Sequence, residues 1–455
     1  MRLYTIGTLA IPLALLVTSG CGAGRNFGAM DTPAKWREVM QPPLSATEEA
    51  QLANPSLHDV LIVGLSRNPG VVVARERWLA AIHREPQATS LPDPMLSAGY
   101  QFQSVETRVG PQRWSAGLAQ KLPWWQKLWA GGKLAATRAN VARLRYEAAM
   151  RDLIINIKDS WYELYYLDHA IPVTASVEQQ LRDEGLLAYT ELDTGRAQLG
   201  EAFRAESQAA QLTYDRLLLV EQRDAQAEHL RSLLNLPPGT SIARVERAPT
   251  YPVSNDVEAL HARAERYSEV LKISGLEIER SEYETYLARL SRIPDLSLGF
   301  NWINTGAARL GSPADSGKNP FIGLFSMNLP IWDQRNRALI REKEAMEDAM
   351  RHDAMAKLNR TRAAVAQTYF QVRLTQRLVD LYAQTLLPQA ESVMSQAEVD
   401  YRAEEGAYSG VLETTIAYHN FLLAWYRAQS DYGQAIGRLE RVLGATAQTP
   451  PEVQP

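Results

Sequence analysis

The sequence predicts a mainly α fold with a small β part, built as two similar halves. Three observations predict it. A strand-to-helix junction occurs twice, as LAQKLPWWQKLWAGGK over 118–133 and FSMNLPIWDQRNR over 325–337. Its Leu-Pro steps are spaced by 207 residues (122 to 329) in a chain of 455, which marks an internal duplication. Each copy follows an alternating run of period two and opens a long segment with apolar residues every seven positions.

The elements follow in order. Arg2, the apolar run 9–17 and Thr18-Ser19-Gly20-Cys21 form a secretory leader, to be set aside from the fold. Cys21 is the only cysteine, so no disulfide forms within one chain. Residues 22–55, rich in Pro, Ala and polar side chains, read as an extended arm. Residues 57–88 read as helix, with Asn68-Pro69 as a break inside and Pro86, Pro92 and Pro94 ending it.

Two alternating runs come next. Leu96, Ala98, Tyr100 and Phe102 form one apolar face, and Trp114, Ala116 and Leu118 another. Val109-Gly110-Pro111 supplies the turn between them. The second half repeats the pattern with Leu296, Leu298, Phe300 and Trp302, then Gly323, Phe325, Met327 and Leu329. The loop 304–320 is the longer of the two.

Past each junction the period changes. Leu134, Val141, Ala148, Ile155 and Tyr162 recur every seventh residue, as do Leu358, Val365, Val372, Val379 and Leu386. That spacing is a coiled-coil seam, and the interleaved alanines permit close helix approach. The proline-free segment 331–387 would be a helix about 85 Å long. Gly195 and Gly406 mark turns into second helices running to 236 and 443. The domain reading is a leader 1–20, an arm 21–56, a first repeat 57–240, a linker 241–256, a second repeat 257–443 and a tail 444–455.

Composition excludes several classes. A net charge of −4 gives no support for a nucleic-acid partner. Mean hydropathy is −0.27, and outside the leader no apolar run is long enough for a spanning helix. A membrane barrel stays open, because its alternating strands give a weak signal. Four strands cannot close such a barrel, whereas two, three or four chains together could. The seven histidines lack metal-binding spacing, there is no nucleophile elbow, and Gly131-Gly132-Lys133 is too short for a phosphate loop. No enzyme and no cofactor are expected.

These features together resemble the TolC-like outer-membrane efflux proteins, over about Leu57 to Leu443. The resemblance rests on the leader ending at Cys21, the duplicated helix–hairpin–helix–helix order, Leu122-Pro123 and Leu329-Pro330, and the tips at Tyr189–Gly195 and Tyr401–Gly406. It implies a homotrimer whose twelve strands form a transmembrane barrel on a periplasmic coiled-coil tube. It also implies a passive exit duct, partnered by a periplasmic adaptor and an inner-membrane pump. Cys21 resembles a lipobox cysteine, acylated by palmitate-type chains, with Gly22 fitting outer-membrane sorting. Leu387-Pro388-Gln389-Ala390-Glu391 looks most like the cation-efflux branch, which suggests metal cations or drugs as cargo.

The resemblance assigns Gly195 and Gly406 to the tip turns, with Glu201 and Glu413 just past them. Carboxylates repeated by symmetry would ring the closed entrance; the plain alternative is that each complements a helix dipole. Leu192, Ala197, Ala407 and Val411 could line adaptor grooves or simply pack the hairpins. Trp124, Trp125, Trp129 and Trp332 read as an interfacial belt at the outer-membrane lipid, or as packing at the junction. The alternative function is a periplasmic coiled-coil structural lipoprotein without a channel, which the four alternating runs argue against.

Overall fold

The computed structural model describes residues 42–192, 199–254, 256–311, 313–403 and 408–447. Cys21, Gly195, Ala197, Gly406 and Ala407 lie outside these residues. The elements repeat the same order twice. The first half contains α1 (Ala46–Ala53), α2 (Leu57–Arg67), α3 (Pro69–Ile82), α4 (Arg84–Thr89), β1 (Met95–Thr107), β2 (Gly110–Leu122), α5 (Trp125–Leu192) and α6 (Leu199–Leu234). The second contains α7 (Val257–Tyr267), α8 (Glu269–Leu290), β3 (Leu296–Thr305), β4 (Phe321–Met327), α9 (Asp333–Leu381), α10 (Leu387–Arg402) and α11 (Tyr408–Leu443).

The break at Asn68-Pro69 has a local cause. Asn68 ends α2 and caps α3, its side-chain oxygen accepting from the Gly70 and Val71 amides while Pro69 occupies the first turn. Ser56 caps α2 in a reciprocal pair with Asp59. Pro86, expected to end the helix, sits inside α4, where its missing N–H falls in the first turn.

At 68 residues α5 is about 100 Å long. The second long helix continues past Pro388. A single π-helical turn, Tyr382–Leu386, joins α9 to α10, and the Leu387 amide donates to the Tyr382 carbonyl. The wider turn absorbs the missing proline donor and the ring's bulk. At the far end α6 stops at Leu234 rather than 236. Asn235 turns left-handed at φ 51°, and the Leu236 amide closes onto the Arg231 carbonyl. Gly444 does the same after α11 at φ 68°, where a side chain would strike the Tyr267 carbonyl. Asn235 meets the end of α2 through the Arg67 carbonyl, as Gly444 meets the end of α7. The duplication therefore extends to the helix caps.

The heptad residues form the seams. Val141, Ile155 and Tyr162 are buried, as are Val365 and Val372. One core gathers Ile157, Trp161 and Leu164 of α5 with Val60, Leu230 and Leu234. Its counterpart gathers Val365, Val372, Leu439 and Leu443 with Leu260 and Ala264. At Gly433 a Cβ would lie 2.3 Å from the Tyr162 ring, so only glycine lets α11 approach α5 there.

The linker between halves crosses α5 as a strap. Trp161 donates to the Arg247 carbonyl at 3.2 Å and Tyr162 to the Pro249 carbonyl at 2.5 Å. Asp168 accepts from the Val245 amide at 2.9 Å and from Arg223 at 3.1 Å. Glu440 of α11 receives Lys158 of α5 at 2.5 Å, the Ala447 amide at 3.1 Å and the Tyr251 hydroxyl of the strap. Every oxygen of that buried carboxylate has a donor, as a buried charge requires.

Candidate functional site

The four strands form one antiparallel sheet in the order β1-β2-β3-β4, so the halves are joined by β2 pairing with β3. Both strands of the first hairpin are longer than the alternating runs alone suggested, and the turn falls at Arg108-Val109. Registers decide which side chains share a face. Leu96 pairs with Leu118, Leu118 with Phe300 and Phe300 with Gly323. One step along, Ala98, Ala116, Trp302 and Phe321 form the next row on that face. The opposite face carries the rows Ser97, Gly117, Asn301 and Ile322, and Lys121, Ser297 and Ser326.

One continuous apolar face thus spans all four strands, and none of the described residues covers it. Phe102 is 94% exposed and Leu96 78%, while Phe300, Phe321 and Phe325 are exposed as well. The opposite face is mostly small and polar. Among the described residues the outer edges of β1 and β4 pair with no other strand. An uncovered apolar sheet with two open edges is not a stable end state for an isolated chain in water. It demands an apolar solvent on one side and further strands at each edge.

At the outer end the loop 306–320 folds over the first hairpin. The Gly306 amide donates to Pro111 and the Gly317 amide to Val109, both at 2.8 Å, and Arg108 pairs with Asp315 at 2.8 Å. At the inner end Asp295 ties the two junctions together. Lys127 Nζ reaches its carboxylate at 2.7 Å and the Ile293 carbonyl at 2.7 Å, with Lys121 at 3.4 Å. Asn328 closes the pair by accepting from the Asp295 amide. Burial pushes the Asp295 carboxyl up, but Lys127 and the Trp124 amide outweigh it and hold it below its ordinary value.

The tryptophans lie around this clamp. Trp125 is 63% exposed and Trp332 70%, and Trp124 is also exposed. Trp129 is exposed too, but its ring meets Tyr283 and Tyr286 of α8 edge-on. None belongs to a core within one chain. Sequence reasoning missed Asp295, Lys127 and Asn328, since polar residues at a strand start carry no periodic signal.

Toward the tips α5 and α6 pack through small residues: Ala188, Ala202, Ala205 and Ala209 are all buried. Glu178 of α5 is buried and held by Arg216 at 2.7 Å, Arg182 at 2.6 Å and Thr213 at 2.8 Å. Burial raises that carboxyl, and these partners more than reverse it, leaving it below the usual range. Glu201 lies in the first turn of α6, the stretch of a helix over which its dipole acts. Glu413 is exposed on the second turn of α11, beyond the reach of that effect. Val411 is buried. Leu192 is the last residue of α5.

Residues 263–445 match the family model described as outer membrane efflux protein. That stretch of the second half is similar to an outer membrane efflux domain. No curated protein matches the chain by sequence. Among solved structures, the outer-membrane channel OprN superposes with a TM-score of 0.73 at 16% identity, covering 90% of this chain and 94% of that one. VceC, an outer membrane protein of Vibrio cholerae, gives 0.72 at 20% identity, covering 89% and 100%. The CmeC outer membrane channel of Campylobacter jejuni gives 0.70 at 13% identity, covering 85% of each. The matched region therefore sits within a chain that shares its fold with these structures over 85–90% of its length. The fold is shared with these outer-membrane proteins, and the family match is confined to residues 263–445. Among the described residues no group of His, Cys, Asp and Glu could hold a metal, and no helix is long and apolar enough to cross a membrane.

Proposed function

We propose that three copies of this chain close a twelve-strand barrel in the outer membrane, continued by the long helices as a periplasmic tube. The observation that carries this is the sheet: one uncovered apolar face and two open edges. Lipid covers the face and the neighbouring chains' strands pair the edges. The tube is a passive exit duct for cargo delivered by an inner-membrane pump through a periplasmic adaptor, with metal cations or drugs as the cargo class. Energy comes from the pump.

In this reading the chain divides into repeats 57–240 and 257–443, joined by the strap 241–256. Cys21 is the lipid anchor. Trp124, Trp125 and Trp332 lie at the inner lipid interface, with Trp129 turned toward α8. Gly195 and Gly406 turn the helices at the closed tip, and Glu201 and Glu413 contribute carboxylates there, favouring cations at the entrance. The exposure of Glu413 past the first helical turn supports that role over a dipole one. Light scattering on the detergent-solubilised protein tests the assembly. Three chains per particle are expected, and a monomer under conditions where β signal persists would overturn it.

A further inference from the structure

A cleft of about 380 Å³ is lined by α3, α4, α5 and α8, on the membrane side of the strap. Four small apolar residues line it: Ala80 and Ala81 of α3, and Val141 and Ala142 of α5. Everything else that lines it is charged, namely Arg77, Arg84, Arg138, Arg145, Arg280 and Glu277. Glu277 takes Arg145 at 3.2 Å and Arg280 at 2.6 Å, and Arg138 pairs with Glu284 at 3.0 Å. The guanidinium groups of Arg77 and Arg84 have no ion pair or hydrogen bond with any described residue. Five arginines thus face two carboxylates, and a guanidinium cannot shed its charge. A cleft lined by one sign of charge concentrates counter-ions of the other.

Helical spacing shows which way the cleft faces. Lys127, Arg138 and Arg145 are spaced by 11 and 7 residues, about three turns and two, so they share one face of α5. At the top of that face Lys127 joins Asp295 and Lys121, and Lys121 stands on the small, polar side of the sheet. Trp129 precedes Arg138 by nine residues, two and a half turns, which puts it on the opposite face of α5. We propose that the cleft binds an organic anion carrying two or more carboxylate or phosphate groups, on the water-filled side of the tube. Its size suits a small molecule, and guanidinium forks take such oxyanions bidentately. Arg77 and Arg84 on one wall are free to hold one group, while Arg138 and Arg145 meet another. The placement in the lumen rests on the duct reading, and it narrows the drug-like cargo to acidic molecules.

The test is calorimetric titration of the full-length, detergent-solubilised protein with citrate at low salt, using acetate for comparison. Expected is saturable citrate binding at one site per chain, with acetate at least about tenfold weaker. Arg77→Gln combined with Arg84→Gln removes two exposed, unpaired charges and weakens citrate about tenfold, with the melting temperature confirming the fold. Arg75→Gln, on α3 but outside the cleft, leaves citrate binding unchanged. Absence of saturable citrate binding at low-millimolar concentration overturns the proposal. So does binding that the double substitution leaves intact, or that Arg75→Gln weakens as much. Planar bilayers test the placement: citrate should lower the unitary conductance of the wild type more than that of the double variant. Channels that conduct and ignore citrate, from protein that binds it, would overturn the lumenal placement. Citrate binding by protein that forms no channel would contradict the duct reading and leave the anion site standing.

Discussion

Phe300 and Asn301 are neighbours in the middle of β3, and the register puts them on opposite faces of the sheet. Phe300 stands in the row Leu96, Leu118 and Gly323, and Asn301 in the row Ser97, Gly117 and Ile322. If the apolar face meets lipid, Phe300→Lys places a charge near the bilayer midplane at a cost of about 2–4 kcal/mol per chain. Asn301→Lys puts the same charge one residue along, facing water, at a cost of about 0–1 kcal/mol. The side chain, the strand and the sequence neighbourhood are shared, so the difference isolates the face. Urea titrations of each variant refolded into lipid vesicles, with assembled trimer as the readout, measure it. Phe300→Lys is expected to lose at least about 2 kcal/mol more than Asn301→Lys. Equal losses, or a greater loss for Asn301→Lys, would refute the assignment of lipid to the Phe300 face.

Three further outcomes are expected. Glu440→Ala leaves Lys158 in a largely buried setting without its carboxylate, so chemical denaturation should show a loss of about 3–5 kcal/mol, with Glu440→Gln losing less. His419 has a folded value of about 4 against an ordinary 6.5, so the unfolded chain takes up its proton more readily. Its stabilising contribution is therefore intact above pH 6.5 and is lost as pH falls toward 4; the melting temperature of His419→Leu should fall less than that of wild type between pH 7 and 4.5. The third concerns the anchor. Leu44 packs on the core around Ile157, about 48 Å along α5 from its start at Trp125. The 21 residues from Cys21 to Pro42 reach at most about 70–75 Å, and deleting residues 24–35 leaves about 30 Å. That deletion should lower the melting temperature of the membrane-embedded protein, and adding Cys21→Ser should restore it by releasing the tether.

Much of the fold was legible in the sequence because the patterns are long and periodic. The heptads at Val141, Ile155, Val365 and Val372 named residues that are buried, and the alternation at Leu96 through Phe102 named the apolar face. Period two shows which residues share a face within a strand, but not which strand lies beside it. The pairing of β2 with β3, which makes one sheet from two halves, came only from the fold. The widened turn at 382–386, which carries the helix past Pro388, had no local signature beyond the proline itself. The polar contacts of Glu440 and Asp168 to the strap, and of Asp295 at the junctions, were invisible for another reason. Their partners lie tens to hundreds of residues away, so no local pattern records them. Gly195 and Gly406 read as turn signals, but both lie outside the described residues.

The central claim is that this chain forms a water-filled duct through the outer membrane. Conductance of the purified trimer in planar lipid bilayers tests it most directly. The wild type should show small unitary steps limited by the tips. Leu412→Asn, which weakens the buried contact among Val177, Leu181 and Leu412 behind the tips, should enlarge those steps. Trimers that insert into the bilayer yet carry no current, with the tips intact or loosened, would contradict the account.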